Sequence, residues 1–468
     1  MLWQPTGIRD ILAETLRGNT MKIEFRAIAA ACVAASIVCA AGGALAAPRA
    51  KAPKLKVLHD FCQEANCTDG AKPGTTLFRD PTTGTLYGTS FYGGHNNEGV
   101  QFSLTPNASR TKWKYSVIYD NCAQTGCRDG GPSEGKFIMD TQGALYGTST
   151  AGGSHGGGNV FKLTPNAKHT KWKMSEVYAF CTQPGCADGE TPAGGVSYAG
   201  AQTGALYDGV SPLYGTTYRG GTASGGDSDG GGTVFQLVKN GDSWSQVMLH
   251  QFCAEQGCLD GSILFGNPVV DSDGNVFGTT DTDGPTDGGT AFELSPSTTR
   301  AGWKFSVIHQ FCLLPQCTDG SNVSDEMISD GQGNLFATGF GGANNDSGVI
   351  FKLTPDGKRT QYSVIYNFCT DPSGRCADGQ QPRSGLARDS QGNLFGVTYQ
   401  GGVSDGGVLY ELSTTGQQQI LHTFCMEGCA DGGQSYAGVA LGDDHTIYGS
   451  TFTGGANDQG VIYQVTLP

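Results

Sequence analysis

Charge is scarce in this sequence. Only 15% of its 468 residues are charged, and the 29 Lys and Arg are outnumbered by 43 Asp and Glu, leaving a formal net charge of −14. An acidic chain of this kind excludes nucleic acid as a main partner. Signatures of catalysis are also missing. There is no H-E-x-x-H, no phosphate-binding loop of the Walker type and no dinucleotide fingerprint. The eight His do not cluster in sequence. The one apolar run near the start, Ala27 to Ala41, is too short and too rich in Ala for a membrane span.

Gly, in contrast, is abundant: 74 residues, beside an ordinary hydrophobic content of 37%. Gly weakens helices and serves tight turns, so the chain is not helical. Recurring Tyr, Phe and aliphatic residues argue equally against disorder, because a core can form.

The N-terminus reads as a targeting segment. Met21 to Arg26 is short and charged, the apolar run follows, and Ala44-Leu45-Ala46 is a small-x-small cleavage signal. Residues 1–46 are therefore expected to be upstream residues plus a signal peptide starting at Met21. Residues 47–55 form a short linker, and 56–468 one exported domain, extracellular or periplasmic.

Two of the 16 Cys lie in the signal. The other 14 form seven close pairs: Cys62/Cys67, Cys122/Cys127, Cys181/Cys186, Cys253/Cys258, Cys312/Cys317, Cys369/Cys376 and Cys425/Cys429. Regular pairs outside the cytosol read as local disulfides. The rival is metal binding, which wants convergent pairs or paired His.

The pairs mark an internal repeat. Each copy holds four short β-rich segments bounded by Gly, Asp, Asn or Pro. The second recurs as Leu86-Tyr87-Gly88-Thr89, Leu145-Tyr146-Gly147-Thr148, Leu213-Tyr214-Gly215-Thr216 and four further variants; the third recurs as Val100 to Leu104 and its equivalents. Seven copies of four antiparallel strands predict an all-β, seven-bladed β-propeller. The chain starts on a fourth-strand match, Val57 to Phe61, and ends on a third-strand match, Val461 to Val465. The N-terminal strand is thus expected to complete the last blade. Repeat three carries extra residues around 196–212 and 220–232, expected in surface loops.

The segments Leu213 to Tyr218 and Gly348-Val349-Ile350-Phe351-Lys352-Leu353-Thr354-Pro355 resemble the Gloeobacter/Verrucomicrobia-type tandem repeat, and the resemblance extends over nearly all of 56–467. It implies an exported bacterial repeat protein without a defined activity. The Cys pairs depart from that pattern and imply loop stiffening.

Candidate sites follow from what the repeats expose. Phe91, Tyr92, Tyr218, Phe340, Tyr399 and Phe452 lead into Gly-rich loops; they fit either stacking on sugar rings or packing between blades. Asp227, Asp229, Asp281, Asp283 and Asp287 crowd the loops of repeats three and four. Calcium takes several oxygen ligands in flexible geometry and would suit them; separate, solvated carboxylates are the alternative, because no complete calcium-loop spacing is present. Asp-Gly after each Cys pair reads as a turn. His59, His250, His309 and His422 alternate with Tyr at one repeat position and read as packing, and Trp113, Trp172, Trp244 and Trp303 as covers for outer blade edges. Together these features point to a non-enzymatic binding scaffold for a glycan or another envelope component. A hydrolase or lyase with its site near repeats three and four, and a surface-coat unit, are the alternatives.

Overall fold

The computed structural model describes residues 52–222, 230–254, 257–297, 302–323, 326–355, 360–370, 374–443 and 445–468, so the segment expected to be a signal lies outside the described residues. It is a ring of seven antiparallel sheets, one per repeat. Blade 1, for example, runs from an inner strand Phe78–Arg79 through Leu86–Tyr92 and Val100–Pro106 to an outer strand Trp113–Asp120. Blade 7 is completed by the N-terminal strand Lys54–Asp60, which pairs with Val461–Thr466 and begins two residues before the expected domain start. Blade 3 departs from the others: its inner strand shrinks to a single bridge, Ser197↔Tyr214. Among the described residues no helix is long and apolar enough to cross a membrane.

The Leu-Tyr-Gly-Thr motif explains itself in the sheet. Its Gly lies directly opposite an aromatic residue of the third strand: Gly88↔Phe102, Gly147↔Phe161, Gly215↔Phe235, Gly278↔Phe292, Gly396↔Tyr410 and Gly449↔Tyr463. The ring lies over the bare backbone. A Cβ on Gly215 would stand 2.4 Å from Phe235 Cζ, and one on Gly278 equally close to Phe292. Blade 5 uses Ala337 opposite Phe351 at this place. The motif's Thr turns to the next blade: the hydroxyls of Thr89, Thr148 and Thr216 donate to the carbonyls of Ser133, Gly194 and Gly266 at 2.8, 2.9 and 3.0 Å.

The core lies between blades. Each of seven apolar clusters joins side chains of two neighbouring blades. Every outer strand contributes through a β-bulge at the same place, which inserts one aliphatic residue: Leu58, Ile118, Val177, Leu249, Ile308, Ile365 or Leu421. A bulge adds a residue without a partner and re-aims its side chain; here that side chain enters the cluster shared with the following blade. The Trp residues also pack between blades, rather than covering outer edges. Trp113, Trp172 and Trp303 stand edge-on to Tyr448, Tyr87 and Tyr214 of the preceding blade, with ring centroids 5.5–6.2 Å apart.

All seven Cys pairs form disulfides, each within one loop: Cys62–Cys67, Cys122–Cys127, Cys181–Cys186, Cys253–Cys258, Cys312–Cys317, Cys369–Cys376 and Cys425–Cys429. All 14 Cys have φ between 43° and 64°, the left-handed region. That conformation is unfavourable for residues with a side chain, so each short covalent loop holds two strained backbone states. The second Cys of each pair also ties its loop to the Gly-rich loop of the blade that follows. The carbonyls of Cys67, Cys127, Cys186, Cys258, Cys317, Cys376 and Cys429 accept the N–H groups of Gly94, Gly153, Gly221, Gly284, Ala343, Gly402 and Gly455 at 2.8–3.0 Å. The stiffening is therefore not confined to the bridged loops, as the sequence pattern alone suggests; it reaches the loops beside them.

The Asp of each Asp-Gly stabilises the same bridged loop. Asp129 accepts from the backbone N–H of Ala123 and Gln124 at 2.9 and 3.1 Å, and Asp319 from Leu313 and Leu314 at the same distances. Most of these Asp are buried or half-buried, Asp188 completely; they are internal ties and do not form an acidic surface.

Two outcomes test this account. Gly215→Ala should lower stability by roughly 1–3 kcal/mol through overpacking against Phe235, read as a lower urea midpoint, whereas Ala337→Gly should not create such a clash. Replacing Cys122 and Cys127 by Ala should cost about 2 kcal/mol of loop closure, and the left-handed strain that the Cys already bear stays at both positions. The double Gly replacement should be the more stable of the two, and an Ala pair at least as stable as the Gly pair would refute the strain.

Candidate binding site at the axial mouth

Two cavities lie along the ring axis. The first, about 260 Å³, opens on the face that carries the disulfide loops. The second, about 630 Å³, lies toward the opposite face. Thr76, Lys136, Asn267, Glu326 and Gly385 line both and therefore form the waist between them. The waist is tight because small residues let the blades meet: a Cβ on Gly195 would lie 2.4 Å from the Lys136 carbonyl oxygen. Asn267 reaches across to accept the Gly195 N–H.

The smaller cavity is where sevenfold sameness breaks down. Glu134, Lys136, Glu326 and Arg383 line it, beside Phe91, Phe265 and Tyr436. Each of the charged residues comes from the segment just before an inner strand, and that segment differs from repeat to repeat. The sequence reading missed Glu134, Lys136, Phe265, Glu326, Arg383 and Tyr436. The signal available to find them was their departure from one another at equivalent positions.

The bridged Cys stand apart from this site. Cys67, Cys258, Cys317, Cys376 and Cys429 line neither cavity, and nor do the other nine. They are the local disulfides that the sequence pattern predicts: their sulfurs are joined in pairs, and their carbonyls hold the neighbouring loops.

Most of the aromatic residues singled out from sequence gather around this mouth. Phe91 meets Phe452 edge-on at 5.9 Å; Tyr436 meets both Phe452 and Tyr399 at 4.8 Å; Tyr218 meets Phe265 at 4.9 Å. The Arg383 guanidinium lies 5.1 Å from the Phe340 ring centre and 5.2 Å from that of Tyr436. These rings link neighbouring blades and remain partly exposed. Tyr92 differs. It pairs with Ala71 at the sheet edge and is 50% exposed.

Asp281 takes the ring position that is aromatic in most other blades. Burial raises its carboxyl pKa, and the nearby Arg383 opposes that rise. Asp283 accepts a hydrogen bond from the Ser262 hydroxyl, and Asp287 accepts the Asp283 N–H at 3.2 Å. Asp346, Asp405 and Asp458 make the equivalent loop bond in blades 5, 6 and 7. Asp227 and Asp229 lie outside the described residues. Among those described, only Cys181, Cys186 and Glu190 group as metal ligands do, and both sulfurs are joined in a disulfide.

The His/Tyr position is structural. The hydroxyls of Tyr119, Tyr178 and Tyr366 donate to Asp129, Asp188 and Asp378 at 2.7–3.0 Å, and His250 and His422 meet Asp260 and Asp431 at 2.9 and 2.7 Å. His59 and His309 lie flat on Tyr115 and Tyr362 of the next blade, 3.7 and 3.9 Å between centroids. Their burial disfavours the charged ring and lowers each pKa to about 4. Burial has the opposite effect on an acid: Glu134 is raised to about 7.

These shifts give opposed pH dependences. His59 and His309 bind protons more readily in the unfolded chain, so their contribution to stability falls as pH drops from 6.5 to about 4. Glu134 holds its proton longer in the folded chain, so stability falls as pH rises from 4.5 through about 7. Glu134→Gln removes only the second effect. Urea midpoints should place this variant above the parent at pH 8 and level with it at pH 4; an equal gain at both would contradict the shift.

The pattern of the Gloeobacter/Verrucomicrobia repeat matches residues 265–468. No curated protein matches the chain. Solved structures with a similar course include Trypanosoma rangeli sialidase in complex with the inhibitor DANA (12% identity, TM-score 0.42, covering 89% of this chain and 60% of that one). A Dyadobacter fermentans protein of unknown function is similar at 12% identity and TM-score 0.41, covering 88% and 99% of the two chains. Saccharomyces cerevisiae Sqt1 is similar at 10% identity and TM-score 0.44, covering 90% and 99%. This chain thus spans less than two thirds of the length of the sialidase.

Proposed function

We propose that this chain, whose residues 265–468 match the Gloeobacter/Verrucomicrobia repeat, is an exported, non-enzymatic scaffold that binds a glycan of the cell envelope at its axial mouth. The observation that carries this reading is the ring of half-buried aromatic residues around a cavity that also holds Glu134, Lys136, Glu326 and Arg383. A sugar ring has an apolar face of C–H groups and a rim of hydroxyls. Aromatic faces complement the first, and charged donors and acceptors the second. The disulfide pairs and the N-terminal signal support export. Stiff loops around the mouth lower the ordering cost of binding.

A glycan array probed with the purified protein tests the reading. Binding is expected, with Tyr436→Ala weakening it by roughly 1 kcal/mol or more, the usual scale of an aromatic contact. No binding, or equal binding by the variant, would overturn it. The alternative of glycoside hydrolysis draws on Glu134, whose carboxyl stays protonated to about pH 7, as a general acid requires. Turnover of array hits that is abolished in Glu134→Gln would favour that alternative.

A further inference from the structure

Blade 3 carries an insertion between its inner bridge at Ser197 and its second strand, Leu213–Thr217. The sequence pattern places it in a surface loop. In the structure it enters the axis. Its backbone pairs with the free edge of the inner strand of blade 2: Tyr207 N–H donates to the Met139 carbonyl, and Thr141 N–H donates to the Tyr207 carbonyl, both at 2.9 Å. The short turn Ala201–Thr203 packs beside the inner strand of blade 4, Val269–Val270. Beyond it, the Gln202 side chain accepts the N–H of Ser329, on the inner strand of blade 5, at 3.2 Å. One segment thus uses donors from inner strands on both sides of its own blade.

The insertion is held firmly. Tyr207 is fully buried, edge-on to Tyr146 at 5.3 Å, and its hydroxyl donates to the Ser211 carbonyl at 2.6 Å. Tyr198 caps the turn through the Ala205 carbonyl. Asp208 accepts the N–H groups of Val210 and Ser211, both at 2.8 Å. Residues 201–206 form part of the wall of the larger cavity, on the side away from the disulfide loops.

We propose that the blade 3 insertion is a built-in plug that roofs the axial channel over blades 2 to 5, so that ligand reaches the waist only through the disulfide-bearing mouth. A channel open at both ends can pass a polymer through; one roofed at one end receives a chain end or a small molecule. If the glycan reading holds, the ligand is therefore a terminal sugar unit and not an internal stretch of a chain. The plug itself does not depend on that reading.

The test places a thiol in the larger cavity by Ala440→Cys and compares its reaction with N-ethylmaleimide and with a long polyethylene glycol maleimide, located by peptide mapping. The reactions are repeated after residues 199–212 are replaced by the short turn that blade 6 uses between the same strands, 389–393. N-ethylmaleimide should react at similar rates in both. The long reagent should react roughly an order of magnitude faster without the insertion. Gln202→Ala, which releases one anchor and leaves the Tyr207 pairing intact, should give a smaller rise and serves if the replacement does not fold. Equal rates for the long reagent in parent and variants would overturn the plug. On the glycan array, hits that share a terminal unit support end-on binding, and hits on internal units overturn it. An array without hits removes the glycan while the labelling still decides the plug.

Discussion

Six of the seven blades depend on an aromatic ring laid over a bare glycine, and blade 5 has Ala337 there. When Phe102, Phe161 or Phe235 covers the Gly opposite it, the sheet surface becomes smooth enough for the next blade to pack against it. The Leu and Tyr that precede that Gly point to opposite faces and feed two different interfaces. Leu86 joins the cluster shared by blades 7 and 1, and Tyr87 the cluster shared by blades 1 and 2. At Gly215 or Gly278 a Cβ would stand 2.4 Å from the ring, so the ring would have to shift and both interfaces with it. The same short motif supplies a Thr hydroxyl that bonds to the next blade near the axis, so one four-residue stretch governs packing within and between blades.

The outer half of the ring is fastened differently. An aliphatic residue projected by a bulge, a His or Tyr following it, the Asp of the next loop and a disulfide form one corner, repeated around the molecule. Polar groups buried there are paired with backbone N–H groups, which is what makes burying a carboxylate tolerable. His59 and His309 instead gain stacking against an aromatic ring and stay neutral. The carbonyls of Cys67, Cys258, Cys317, Cys376 and Cys429 and their two equivalents pass the constraint from each corner to the adjoining Gly-rich loop, so the stiffness of the rim reaches the site.

With the frame supplied by repetition, variation is free to concentrate on the axis. There the blades present Glu134, Lys136, Phe265, Glu326, Arg383 and Tyr436 around one mouth. The blade 3 insertion adds a further asymmetry, because it takes the bonding edge that an inner strand leaves unpaired. A free strand edge is a hazard when exposed and a convenient anchor when covered.

The sequence by itself determined the number of blades, the closure by Val57 to Phe61, the local pairing of all 14 Cys and the gathering of glycine and aromatic residues, because a repeat shows its pattern seven times and strand periodicity is local. The turn role of Asp-Gly was legible for the same reason. What only the tertiary structure decided was where residues from different blades meet. The aromatic residues Phe91, Tyr399 and Phe452 were visible as candidates, but Tyr436, which meets Tyr399 and Phe452, was not, and the charged groups beside it come from other repeats. Asp281, Asp283 and Asp287 looked like one acidic group, yet the first is half-buried near Arg383 while the other two are engaged in their own loops. The extra residues of blade 3 looked like a surface loop, because nothing local in 198–212 reveals that Tyr207 and Gln202 find their partners on other blades. Such contacts are set by ring closure, which brings seven inner strands to one axis, and no spacing along the chain encodes that distance.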